Sequence, residues 1–188
     1  MHATVHAAMY ATIHPLHHQP NADLGGLLPD GAQPIGTIVL AHADDQHGTA
    51  VAFWPDEAAA RSADDRVYRV DESHGRATGR RPLFAQVTWL NGDGDPVRAD
   101  AAERGGRDRI WPAVREVEGI VDVFALRSTD HRIVVVALTT ATETHDEVRD
   151  AIFATELLPG EAPALLRDPD RITLARVLRA ELPTAVRS

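Results

Sequence analysis

Residues 118–154, EGIVDVFALRSTDHRIVVVALTTATETHDEVRDAIFA, decide the fold. They read as a strand over 120–126, a polar turn over 127–132, a second strand over 133–138 and a helix over about 141–154. Runs rich in Val, Ile and Phe, broken by Ser-Thr-Asp, have the length and punctuation of a β-hairpin in a core. Thr140 stands three residues before Glu143, a spacing that predicts a pair capping each other's amides at the helix start. Val148, Ile152 and Leu157, with Ala151 and Phe153 beside them, predict an apolar face laid on the hairpin. Such a β-β-α unit is one half of something larger.

Upstream, 3–13 alternate with period two, Thr4, His6, Ala8 and Tyr10 on one side and Val5, Ala7 and Met9 on the other, as in a half-polar strand. The stretch 14–34 holds four Pro and three Gly, which exclude a long helix. Strands are expected over 35–43 and 49–53, and Trp54-Pro55-Asp56-Glu57 opens a helix with Pro in its first turn and acids near the positive end of its dipole. A short strand over 67–70 precedes the linker-like SHGRATGRRP of 73–82. The order then recurs: a strand over 84–90, a loop over 91–96, a helix over 97–117, the hairpin and its helix, a turn over 158–163, and a last strand over 171–178.

The recurrence has a register. Residues 35–53 align with 120–138 without a gap, so that Val39 meets Phe124, Asp45 meets Asp130 and Val51 meets Val136; Asp65-Arg66-Val67 likewise meets Asp170-Arg171-Ile172. Each half reads β-α-β-β-α-β, a ferredoxin-like unit, with the first helix of the first half lost or shortened. The expected class is α+β, with tandem ferredoxin-like repeats over 1–73 and 83–182 joined by a linker over 74–82.

Composition removes several kinds of function. The formal net charge is −9 and all 19 basic residues are Arg, without the basic stripe that phosphate neutralisation needs, so no nucleic acid is expected. There is no Cys, hence no disulfide, thiolate nucleophile or Cys-based metal site. The start, MHATVHAAMYATI, lacks the basic and long apolar regions of a signal peptide, and no run reaches membrane-spanning length; a cytoplasmic location with no membrane partner is the expectation.

The stretch AVAFWPDEAAARSA (50–63), a third strand running into a Trp-acid-acid helix start, and the Gly-Ile/Val hairpin pattern of both halves resemble the dimeric α/β-barrel superfamily, in particular its antibiotic-biosynthesis-monooxygenase-like branch. The resemblance implies that the halves form within one chain the barrel that most members make by dimerising. It also implies oxygenase activity on an aromatic, polyketide-like substrate without metal or flavin; relatives degrade heme. Heme-degrading members carry an Asn near the end of the first strand, a Trp at the end of the third and a His ligand. Asn91 and Trp54 match the first two in different halves, so neither half holds the full set.

Candidate residues follow from strand parity. His6 and Tyr10 share a face with Thr4, and His42 ends the adjacent strand on the parity of Ile38 and Leu40. A histidine lining a pocket titrates near neutrality and can serve as a base towards a phenol. Trp54 closes a strand at a barrel mouth, where it could stack on an aromatic ligand; Trp89 and Trp111 are read as core. His14, His17 and His18, with His2, lack the spacing of a metal site and are read as loop residues. The calcium-like opening Asn91-Gly92-Asp93-Gly94-Asp95 fails at Pro96 and Ala102, leaving a tight strand-to-helix turn. Gly105-Gly106 marks a kink or boundary in its helix. Val134-Val135-Val136 is apolar on both faces, which places any pocket in the first half. The expected function is that of a cofactor-independent monooxygenase-like protein for a hydrophobic aromatic molecule. His6 or His42 is the base, Trp54 stacks on the substrate, and Tyr10 or Asn91 orients an oxygen. The alternative is a non-catalytic small-molecule or heme-binding barrel. No cofactor or metal is expected, and the chain is a monomer with an internal pseudo-dimer or a homodimer.

Overall fold

Eight antiparallel strands close into one barrel in the computed structural model, which describes residues 8–17, 20, 26–44, 46–75 and 79–183. The strands are β1 (Tyr10–His17), β2 (Gly36–His42), β3 (His47–Trp54), β4 (Val67–Ser73), β5 (Phe84–Leu90), β6 (Ile120–Ser128), β7 (Ile133–Thr139) and β8 (Arg171–Glu181). Around the barrel they run β1-β3-β2-β8-β5-β7-β6-β4. The first half thus supplies the ferredoxin-like sheet β4-β1-β3-β2 and the second supplies β8-β5-β7-β6. Pairing of β2 with β8 and of β4 with β6 joins the two sheets edge to edge. This is the fused dimeric α/β barrel expected from the repeat.

Period two puts one parity of each strand inside. Ile38, Leu40, Val51 and Phe53 from the first half meet Val87, Phe124, Leu126, Val134, Val136 and Leu138 from the second, all essentially inaccessible. The Phe53 and Phe124 rings lie 4.7 Å apart across the join. The barrel interior is a packed core.

The helices are α1 (Glu57–Ala63), α2 (Pro96–Gly105), α3 (Trp111–Val114) and α4 (Glu143–Phe153), with a π-helical segment Gly106–Ile110 between α2 and α3. Among the described residues between β1 and β2 there is no helix, in line with the lost first helix of the first half. No helix among the described residues is long and apolar enough to cross a membrane. Asp95 caps α2, accepting from the amides of Val97 (2.8 Å) and Arg98 (3.1 Å), with Pro96 at the position where its missing N–H is harmless. The tight turn expected over 91–96 is therefore present, and the glycine pair marks the start of the π segment.

Four expectations change. β1 runs to His17 through Pro15, so His14 and His17 are strand residues and not loop residues. The missing donor of Pro15 is tolerated because β4 borders β1 only over Tyr10, Ala11 and Thr12, leaving one side of β1 open beyond them. β4 continues three residues past Val70 across a bulge. Pro55 stands outside α1, where Asp56 is the cap, its Oδ1 accepting from the Ala59 amide at 2.8 Å. At α4, Thr142 and not Thr140 holds the cap position and makes no side-chain bond to a helix amide. That helix buries Thr144 and His145, while Phe153 is 80 % exposed. His6, with His2 and His18, lies outside the described residues.

Candidate functional site

In the first half the sheet's outer face is closed. Thr12, His14 and Leu16 on β1, Thr37, Val39 and Ala41 on β2, and Ala50, Ala52 and Trp54 on β3 are all buried. The small Ala60 lets α1 approach, and it packs with Ala52, Trp54 and Val67. Trp54 Nε1 donates to Thr12 Oγ1 at 3.0 Å. That hydroxyl also pairs with His14 Nε2 at 2.9 Å, and His14 Nδ1 lies 3.5 Å from Asp64 Oδ2. Burial lowers the pKa of His14, against the opposing pull of Asp64. The imidazole is thus held between the Thr12 hydroxyl on Nε2 and the Asp64 carboxylate near Nδ1. Trp54, Thr12 and His14 satisfy one another under α1, while the Thr37 hydroxyl is buried without a partner, and Trp54 is 2 % exposed.

The second half differs at the corresponding positions. Gln86, Thr88 and Leu90 on β5, Val135 and Ala137 on β7, and Val123, Ala125 and Arg127 on β6 are all half-buried. Charged pairs join the helical layer to this face. Arg127 Nη1 lies 2.8 Å from both Glu103 Oε2 and Asp100 Oδ1 of α2. Arg107 Nη1, in the π segment, lies 3.8 Å from Glu72 Oε1. Long polar side chains bridge where α1 uses alanines, and the outer face of this sheet is left half-buried. π segments inside α-helices are frequent at functional sites.

The end of β4 borders this face. Glu72 pairs with Ala125, and the His74 amide donates to the Val123 carbonyl at 2.9 Å, so both side chains stand on the outer face. His74 Nε2 pairs with Glu72 Oε2 at 2.8 Å, and the imidazole stacks on Trp111 at 4.0 Å with 11° between the planes. Glu72 Oε1 is buried without a hydrogen-bond partner. The Glu72 carboxylate only accepts, so the His74 ring donates to it from Nε2 and turns Nδ1 away from the pair. At the end of β7, His145 Nε2 lies 3.2 Å from Thr139 Oγ1, its pKa lowered by burial.

Four of the residues singled out in the sequence are described, and they do not share one site. Tyr10 and Trp54 are register partners beneath α1. His42 is at the opposite end of the barrel, where β2 stops, with Nε2 2.9 Å from Thr49 Oγ1 and a pKa lowered chiefly by burial. Asn91 has φ +58° and donates from Nδ2 to the carbonyls of Asp95 (2.9 Å) and His131 (2.7 Å), tying the β5–α2 turn to the β6–β7 turn. Sequence reasoning passed over Glu72 and His74 and read Trp111 as core. Extension of the period-two pattern of β4 past Val70 would have put Glu72 and His74 on the inner face, because the bulge that turns them outward leaves no mark in the sequence.

No protein-family model matches the chain, and no curated protein matches it. Solved structures share its fold. A provisionally described monooxygenase from Fusobacterium nucleatum superposes with a TM-score of 0.60 over 97 % of this chain and 98 % of its own, at 10 % identity. An anthrone oxidase-like protein gives 0.54 over 96 % and 97 %, at 9 % identity. A ferredoxin-fold protein from Listeria monocytogenes, related to antibiotic biosynthesis monooxygenases, gives 0.50 over 90 % and 94 %, at 12 % identity. Near-complete coverage of both chains at such low identity establishes the architecture: one chain folded as the ferredoxin-like α/β barrel that these monooxygenase-like structures also adopt.

Proposed function

We propose that the protein is a cofactor-independent, monooxygenase-like protein for a hydrophobic aromatic small molecule, bound in a groove of the second half. The observation that carries this reading is the half-exposed outer face of β5, β7 and β6, walled by Trp111 and the Glu72–His74 pair. Its floor of Val135, Ala137 and Ala125 suits a flat apolar ring, and Gln86 and Thr88 offer polar contacts at one side. The repeats, read as 1–73 and 83–182 with 74–82 between them, then serve different ends. The first is a packed scaffold that lends Glu72 to the site, and His74 comes from the connector.

The chemistry needs a base, an oriented substrate and limited water. His74 Nδ1 takes a proton from an activated ring CH2 or phenol, and Glu72 stabilises the imidazolium that forms. The resulting carbanion reduces molecular oxygen and forms a C–O bond as a hydroperoxide. Loss of water from that hydroperoxide leaves a carbonyl on the ring, so that CH2 and O2 become C=O and H2O. His42 stands as the second candidate base, since burial keeps it neutral at pH 7; the role expected for His6 belongs to the same proposal.

The test is oxygen uptake by the purified protein with anthrone, chosen because one fold neighbour is named for it. His74→Ala should lower turnover by roughly 10²–10⁴-fold, the usual share of a general base. His42→Ala should leave turnover intact. The reverse pattern would transfer the base role to His42, and unchanged turnover in both variants would reject the mechanism. Anthrone binding without oxygen consumption would instead mark the groove as a non-catalytic binding site.

A further inference from the structure

We propose a second binding site, for a small oxyanion of carboxylate or phosphate type, at the end of the barrel where β4, β7 and β8 begin and β5 ends. A cleft of about 240 Å³ opens there, and Arg66, Arg132 and Arg171 line it together with Tyr68, Trp89 and Gly92. Three guanidinium groups from three separate segments converge on one cleft in a chain of net charge −9. Asp170 is the acid in the lining, and its Oδ2 is engaged by the Gly92 amide at 2.8 Å.

Two donors in this lining lack an acceptor. Trp89 Nε1 is buried without a hydrogen-bond partner. Arg132 Nε is also buried and, although 3.0 Å from Asp130 Oδ2, lies out of line for a hydrogen bond to it. Buried donors are nearly always satisfied, so two orphans on one cleft call for an acceptor. The surrounding charge calls for a negative one. Arg171 is held over the Trp89 ring, its guanidinium carbon 4.6 Å from the ring centroid, and that contact orders it before any ligand arrives. Planar guanidinium forks match carboxylate and phosphate oxygens in pairs, while the Trp89 and Tyr68 rings favour an anion attached to an apolar body. Asp170 apart, the charged groups lining the cleft are guanidinium donors, a set that suits an anion. The site is separate from the groove, which lies on the barrel's outer wall.

Titration calorimetry with benzoate and with inorganic phosphate, at constant ionic strength and with benzamide as the neutral control, tests the assignment. Saturable binding of benzoate, phosphate or both is expected, and the stronger of the two identifies the head group. Arg132→Ala and Arg171→Ala should each weaken it roughly 10- to 100-fold, the loss of one charge-assisted hydrogen bond. Trp89→Phe, which keeps the ring under Arg171 but removes the donor, should weaken it by a smaller factor. Should either variant fail to fold by circular dichroism, Arg66→Ala supplies the same comparison. No saturable binding of either anion, equal binding of benzamide, or affinity indifferent to the arginines overturns the proposal. So does loss of benzoate binding in His74→Ala, which would place the ligand in the groove.

Discussion

Replacing Ala52 and Ala137 separately by Leu asks whether the two halves differ as described. The two alanines occupy the same position of the repeat, on the outer faces of β3 and β7, and each sits between two strands: Thr12 and Thr37 flank Ala52, Gln86 and Val123 flank Ala137. Ala52 is 2 % exposed and packed with Trp54, Ala60 and Val67. Three further carbons there must displace α1 or force Trp54 off its bond to Thr12, an overpacking that costs about 1–3 kcal/mol. For a chain of this size that is a fall in Tm of roughly 2–4 °C per kcal/mol, or about 2–12 °C. Ala137 is half-exposed, so the same side chain enters the groove and should shift stability by no more than about 0.5 kcal/mol. Urea denaturation and thermal unfolding of the wild type and both variants measure the difference. Ala137→Leu should also weaken anthrone binding by narrowing the groove, while Ala52→Leu should leave it alone once folded. Equal destabilisation of the two variants would show that the second half is as closed as the first, and the site assignment would fall with it.

Acid should destabilise the fold through two buried histidines. Burial lowers the pKa of both His14 and His145 below 6.5, so below that pH the unfolded chain binds protons that the folded chain refuses. Stability is then fully present above pH 6.5 and falls as pH drops towards the folded-state values, by up to about 1.4 kcal/mol per pH unit for each histidine. His14→Gln should make the acid limb of a stability profile shallower, and an unchanged limb would refute the contribution. Asn91→Ala should cost about 2–3 kcal/mol in urea denaturation, from the loss of two bonds to backbone carbonyls and from a non-Gly residue held at φ +58°. Asn91→Gly, freed of the backbone cost, should lose less; a loss of turnover at unchanged stability would instead give Asn91 a part in the chemistry. Gly119→Ala should destabilise by at least about 1–2 kcal/mol, because φ is +91° and a Cβ would overlap the Thr144 hydroxyl.

The barrel was legible because its signals are local. Apolar runs broken by turn residues located β2, β3, β5, β6 and β7, and the gapless alignment of 35–53 on 120–138 implied two sheets that could close on each other. What was hidden depended on neighbours distant in sequence. Pro15 ends a strand only if both sides of it are paired, and β4 leaves one side open. The bulge after Val70 breaks the parity by which Glu72 and His74 would have been recognised as strand-face residues, so a connector was expected where β4 continues along β6. Val134-Val135-Val136 looked like a position packed on both sides; Val135 is half-exposed because ion pairs, and not apolar contacts, span from α2 to the sheet. Trp54 offered no means to decide between ligand and core from its letters alone, since the deciding partner, Thr12, is on another strand.

Joining the halves in one polypeptide releases them from likeness. In a barrel assembled from two copies of one chain, every substitution falls on both faces at once, and a helix drawn tight on one sheet is drawn tight on the other. Here Ala60 and Trp54 could seal one face while Glu103, Arg107 and Arg127 kept the other apart. The covalent link also keeps both sheets at a fixed one-to-one stoichiometry at any dilution, so that closure of the barrel does not depend on protein concentration. One face can then be tuned for anchorage and the other for traffic, a division of labour that a symmetric pair is denied.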